Sequence, residues 1–217
     1  MAQTQTQPET PLIPQSSPEL ANVRSQNRKT EPTTSRIFLT GVCCVGKTAI
    51  GAQLADLLGY RFYDLDHEVE AFYKLSIERL QRQHESMNDF RIAAANVFDD
   101  ILLNQTRQSH HCVVALSPRG LMDAYWKVVR STKATTVVIQ DKPENILTRL
   151  TFFDIDSRPM TKTLSARERR LYLKEIKADI SYFRRSYNRA TMFVDISGLN
   201  IEESAGKIKA ELDAGFK

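Results

Sequence analysis

No stretch of the 217 residues reaches the roughly 18 consecutive apolar residues that a membrane helix needs, which argues against an integral membrane protein. Cysteine is scarce. Cys43, Cys44 and Cys112 are too few, and odd in number, for a disulfide scaffold, and they fit a reducing compartment such as the cytoplasm. No strong charge of one sign is present either: 30 Lys and Arg face 26 Asp and Glu, a net charge of +4. That balance permits anionic ligands and gives no basis for nucleic acid binding. Residues 1–35 contain no glycine and no aromatic residue, yet hold Pro8, Pro11, Pro14, Pro18 and Pro32. Such a segment buries too little apolar surface to offset its ordering entropy, so it reads as a disordered tail. It lacks the apolar run of a secretory signal, and its acids argue against a transit peptide. No internal repeat is visible. What remains, residues 36–217, is ample for one core and one domain, expected to act as a monomer.

From Arg36 onward, short β-rich runs alternate with longer stretches of helical spacing. The runs are 37–39, 61–63, 112–116, 136–139 and 192–194. Ile50, Leu54 and Leu57 share one helical face, as do Ile201 and Ile208. Ser165 with Glu168, and Asn200 with Glu203, match the capping-box pattern that opens a helix. Strands separated by helices imply right-handed crossovers and a parallel sheet.

The strongest local signal is Gly41-Val42-Cys43-Cys44-Val45-Gly46-Lys47-Thr48, which fits G-x-x-x-x-G-K-[ST]. It follows a predicted strand and opens a predicted helix, the setting a phosphate-binding loop requires. Its glycines let backbone N–H groups aim inward, and the helix N-terminus adds partial positive charge. Lys47 would reach the β- and γ-phosphates of ATP, and the Thr48 hydroxyl would coordinate Mg²⁺. Cys43 and Cys44 read as small fillers of variable loop positions rather than as a redox switch.

The next strand delivers Phe62-Tyr63-Asp64-Leu65-Asp66. Strand ends at the carboxyl edge of a parallel sheet face the ligand crevice, and residues two apart share a face. One carboxylate would hold Mg²⁺ through water while the other takes a proton from an incoming hydroxyl. An acidic turn capping the next helix would place the same two residues.

Together, this loop and the Phe-Tyr-Asp-x-Asp run resemble shikimate kinase. Phe90-Arg91, Arg158-Pro159 and the run Arg184-Arg185-Ser186-Tyr187 follow in the family's order. The resemblance implies an α/β, three-layer P-loop kinase fold: a five-stranded parallel sheet flanked by helices, with a mobile lid over about 154–164. It further implies transfer of the ATP γ-phosphoryl group to the 3-hydroxyl of shikimate. On that pattern Asp66 is the base, Asp64 supports the metal through water, and Arg91 grips the acceptor carboxylate. Arg158 swings in with the lid, Arg184 offers a second carboxylate contact, and Arg149 lies against adenine.

Three departures fall on the acceptor side. Where the family carries three glycines, this chain reads Leu116-Ser117-Pro118-Arg119-Gly120, so a donor is lost and a long cation gained. Ala94 stands where a glutamate would orient Arg91, and the arginine-to-tyrosine spacing near Arg184 is one residue short. These departures leave three readings: a shikimate kinase in which Arg119 joins Arg91 on the carboxylate, a kinase for another hydroxylated metabolite, and a nucleotide-binding protein without turnover. The position of Arg119 discriminates between the first two. His110-His111-Cys112 points to opposite faces of an extended segment and reads as a polar loop, not a metal site. Phe152 and Phe153 are expected to pack at the lid base. The charges of 167–170 are expected to face solvent.

Overall fold

The computed structural model describes residues 35–107 and 110–215. The expected tail over 1–35 lies outside them, apart from its last residue. Five strands form the main sheet: β1 (Arg36–Thr40), β2 (Arg61–Asp64), β3 (Cys112–Ala115), β4 (Thr135–Gln140) and a last strand, Met192–Asp195. All pair in parallel, in the order β2-β3-β1-β4 and then the last strand. A separate antiparallel pair, β5 (Phe152–Phe153) with β6 (Pro159–Met160), makes the last strand of the large sheet β7. The helices are α1 (Lys47–Leu58), α2 (Leu65–Tyr73), α3 (Ile77–Gln83), α4 (Met87–Arg107), α5 (Asp123–Ser131), α6 (Pro143–Thr148), α7 (Ala166–Tyr187) and α8 (Ile201–Gly215).

The central strands β1, β3 and β4 are buried on both faces, which is why they carry unbroken apolar runs, whereas the edge strands are partly exposed. Ile37, Phe38, Leu39, Val113, Val114, Val137, Val138 and Ile139 are all buried. Side chains of β1 alternate between the two helical layers. Leu39 faces Gly51 of α1, whereas Phe38 meets Phe98 of α4 edge-on at 5.1 Å. Gly51 permits the close approach of α1 to the sheet, because a Cβ there would lie 2.6 Å from the Phe62 ring. α1 packs on α8, α4 on α5, and α6 on α7.

Both capping boxes form. The Ser165 side chain accepts from the N–H of Glu168, and Glu168 returns a bond from the N–H of Ser165 at 2.9 Å. Asn200 and Glu203 do the same at the start of α8. Two expected core positions differ. Leu57 and Ile201 are exposed, because the buried faces of their helices run through Ile50, Gly51, Leu54 and Ala55, and through Ser204, Ala205, Ile208 and Leu212. Both outliers sit in the terminal turn of their helix, beyond the layer that covers the rest.

Chain order reverses at β1: the chain moves outward to β2, returns to β3, and then crosses β1 to β4. In such sheets the ligand crevice lies beyond the carboxyl ends of the strands at that reversal. The loops after β1, β2, β3 and β4 therefore build the site.

Candidate active site

The loop after β1 turns back over the sheet. Gly41 has φ +149°, and a Cβ there would lie 2.6 Å from the carbonyl oxygen of Ile139, so backbone of β4 abuts the loop. Gly46 caps α1 with φ 112° and no side-chain cap, which leaves the first-turn N–H groups open toward an anion. Lys47 lies across the loop, donating from Nζ to the carbonyls of Gly41 at 3.1 Å and Val42 at 2.9 Å. Burial lowers the Lys47 pKa, opposed by the charges of nearby Cys43 and Asp66. Val42 and Val45 are buried supports of the loop. Cys43 is exposed, and the enclosing protein raises its thiol pKa despite the Lys47 ammonium. That shift lowers the thiolate fraction of Cys43. Cys44 takes a left-handed turn at φ 58°.

Asp64 ends β2 and does two jobs. Its Oδ1 caps α2, accepting the N–H of Asp66 at 3.1 Å and of His67 at 3.5 Å. Its Oδ2 accepts the Thr48 hydroxyl at 2.6 Å. The acidic turn and the phosphate-side carboxylate are thus one residue serving both purposes. A hydroxyl and a carboxylate meeting beside a phosphate loop form a hard-oxygen donor set that suits Mg²⁺, with the remaining positions left to water and phosphate oxygens. Among the described residues no cluster of three or more His, Cys, Asp or Glu forms a protein-only metal cage.

Asp66 stands in the first turn of α2, where solvent reaches it, yet protein surrounds it closely. That enclosure, together with the Asp64 charge, pushes its carboxyl up to about 6. The charge of Asp66 also reaches the phenol of Tyr125, which is buried at 3% exposure on α5. Burial first, and Asp66 second, raise the Tyr125 pKa, while Arg91 and Arg119 pull it down. One phenol therefore feels both arginines and the carboxylate. Sequence reasoning missed Tyr125, since a lone tyrosine on an amphipathic helix looks like core.

Arg91, on α4, is half-buried and makes no ion pair among the described residues. The neighbouring Ala94 is buried and offers it no carboxylate. Arg119 does not face open solvent. Its Nη2 donates to Asp123 at 2.7 Å, its Nη1 donates to the Tyr182 hydroxyl at 3.0 Å, and the guanidinium lies 5.8 Å from the Tyr182 ring centre. The charges of both arginines reach Tyr125, and among the described residues Arg119 is paired with a carboxylate, Asp123, whereas Arg91 is not.

The remaining arginines fall elsewhere. Arg149 caps α6 and pairs with Asp141, whose side chain is 1% exposed. Burial would raise the Asp141 carboxyl, but hydrogen bonds from Asn145, Arg149 and the Lys142 N–H hold it below the usual range. Ser197, after β7, also donates to Asp141 at 3.1 Å, so Arg149 is fixed between the loops following β4 and β7. Arg184 is exposed and lines a cavity of about 560 Å³ with Asp141, Lys177 and Tyr187. That cavity is lined by none of Asp66, Arg91, Arg119 and Tyr125, so the structure does not gather Arg184 with the acceptor-side groups. Arg158 is exposed at the tip of the β5–β6 pair. Its N–H donates to Asp154 Oδ1 at 2.9 Å, and its carbonyl accepts the Asp154 N–H at 2.9 Å. At the lid base Phe152 meets Tyr172 at 5.5 Å, whereas Phe153 is 55% exposed, since neighbours in a two-residue strand point to opposite sides.

The family model described as shikimate kinase matches residues 43–213. The shikimate kinase of Chlorobaculum tepidum is 30% identical over 192 residues, covering 84% of this chain and 95% of its own length. The crystal structure of shikimate kinase from Aquifex aeolicus superposes with a TM-score of 0.62 at 27% identity, covering 83% of this chain and 97% of that one. A shikimate kinase from Acinetobacter baumannii, in complex with shikimate, shares the fold with a TM-score of 0.63 at 19% identity, over 85% of this chain and 96% of that one. A phosphate loop, the acidic strand end beside it and a match across most of the chain lead to one assignment: this chain belongs to the shikimate kinase family, ATP-using phosphotransferases with an alcohol group as acceptor.

Proposed function

We propose that this chain transfers the γ-phosphoryl group of ATP to the 3-hydroxyl of shikimate, giving ADP and 3-phosphoshikimate. The observation that carries this reading is the phosphate loop with Lys47 lying across it and the Thr48 hydroxyl on Asp64 at 2.6 Å, where Asp64 caps the helix that begins with Leu65 and Asp66. Phosphoryl transfer asks a protein mainly for positioning and for positive charge around the equatorial oxygens. The loop 41–48 cradles the phosphates, and Lys47 turns from its loop carbonyls to the β- and γ-oxygens. Asp66 accepts the proton of the acceptor hydroxyl as its oxygen bonds to phosphorus and the bond to the β-phosphate oxygen breaks. Arg91 meets the acceptor carboxylate by bidentate hydrogen bonds. Arg158 supplies charge from the lid, and Arg149 lies against adenine, held by Asp141. Thr48, and Asp64 through water, would hold Mg²⁺, which when bound neutralises charge on the phosphates.

The Arg119–Asp123–Tyr182 arrangement supports Arg119 as a wall of the acceptor pocket rather than a second free grip on the carboxylate. It also favours a second reading, a different hydroxylated acid as acceptor, since side chains stand where backbone would approach the substrate. For Arg184, its cavity beside Asp141 favours a place on the nucleotide half. All three cysteines are free thiols, which supports action in the cytoplasm.

Mg·ATP and shikimate, with ADP and phosphorylated product followed together, test this reading. Wild-type protein should release one ADP per product, and Lys47→Ala should lower the rate by about 10²–10³-fold. ATP binding with no shikimate-dependent product would remove shikimate as acceptor and leave the second reading.

A further inference from the structure

Glu70 lies one helical turn beyond Asp66 on α2, so the two carboxylates leave the helix on the same side. Oε1 of Glu70 accepts two donors from other segments. One is the N–H of Ile77, the first residue of α3, at 2.9 Å. The other is the hydroxyl of Ser157, the residue before Arg158 in the lid. Glu70 and Ser157 are both half-buried. Two more contacts run alongside: the Ser76 hydroxyl donates to the Ile155 carbonyl, and Arg79 Nε pairs with Asp156 Oδ1 at 2.5 Å. Three consecutive lid residues are therefore each bound to the α2–α3 unit. The lid tip is itself a preformed turn, with Asp154 Oδ1 accepting the N–H groups of Asp156 at 2.8 Å and Arg158 at 2.9 Å. Where this turn docks, Arg158 docks with it.

The Arg79–Asp156 pair is exposed, and water and salt screen such pairs. Glu70 is different: it is partly shielded, charged, and serves two donors at once, the stronger kind of hydrogen bond. We propose that Glu70 is a positioning residue that clasps the lid to the helix bearing Asp66, so that Arg158 reaches the phosphoryl group only when the acceptor-side helices are in place. The inference rests on the phosphoryl-transfer reading above. It adds a coupling to that reading: acceptor binding that settles α2 and α3 also presents the surface on which the lid closes, which excludes water from ATP.

The test compares full-length wild type, Ser157→Ala, Glu70→Ala and the double variant. Hydrogen exchange over residues 152–160 is measured with Mg·ATP bound, and ADP release is compared with product formation. Ser157→Ala removes the lid side alone and leaves the Glu70 bond to Ile77, so it separates docking from folding of α3. Lid amides should exchange about 10-fold faster in either single variant, and the double variant should add little, as expected for two partners of one contact. Product formation should slow with KM for ATP unchanged, and ADP should exceed product. Unchanged lid exchange in both single variants, or effects that simply add, would overturn the clasp. Should wild type give no product with shikimate, the acceptor reading fails, while the lid exchange rates still decide the clasp.

Discussion

On the proposed mechanism, Asp66 carries the chemistry at the scale of single residues. A base must be ionised to accept a proton, and its surroundings push this carboxyl up to about 6, chiefly by enclosure and then by the charge of Asp64. Below that pH the protonated form dominates and cannot accept; above it the carboxylate dominates. The expected profile of kcat/KM, which reports the free enzyme, therefore rises with pH through an acid limb near 6. Asp64→Asn removes the neighbouring charge, so the limb should move to lower pH. A pH–rate series on both proteins checks this, and a limb that stays in place would assign it to another group. Arg91 and Arg119 show how two like side chains diverge by partner. Asp123 pairs with one, while among the described residues no carboxylate pairs with the other, and the neighbouring Ala94 offers none.

Elements matter here as carriers, and their ends do most of the placing. Asp64 holds the start of α2, and that start is where Asp66 stands. Asp141 joins the loops after β4 and β7 through Asn145, Arg149 and Ser197. The long helix α7 begins in the capping box of Ser165 and Glu168, directly after the lid. Losing a serine cap costs about 1 kcal/mol, so Ser165→Ala should lower the denaturant midpoint without changing its slope. Hydrogen bonds from the N–H and hydroxyl of Ser165, and the charge of Lys162, hold the Glu168 carboxyl down at about 2. A depressed acid stabilises the fold above its unfolded pKa of roughly 4.3, and that contribution is lost as pH falls toward 2. The stability difference between wild type and Glu168→Gln should therefore shrink over that interval; a constant difference would mean that the charge plays no part in the cap.

At the scale of the whole molecule, the features readable from sequence are the local ones. The phosphate loop is eight consecutive residues, the five strands are short β-rich runs, and each capping box spans four positions. Strand order is not local: β3 enters between β2 and β1 only because tertiary pairing joins segments about 50 to 75 residues apart. The site shows the same divide. Asp64, Asp66 and Arg91 were legible as motif residues, whereas Tyr125 emerges only when α5 packs beside α4. Glu70 gains its meaning from a serine 87 positions away, and Arg119 from Tyr182, 63 positions away. Arg149 and Arg184 belong with Asp141 in space, a link that no spacing reveals. The central claim is that this fold phosphorylates a hydroxyl on an acceptor held by its carboxylate at Arg91. The most direct measurement is kcat/KM for shikimate against its methyl ester, in wild type and in Arg91→Ala. The account predicts that wild type prefers the free acid by about 10²-fold, the scale of a lost buried charge contact, and that Arg91→Ala abolishes the preference. Equal use of acid and ester by the wild type would contradict it.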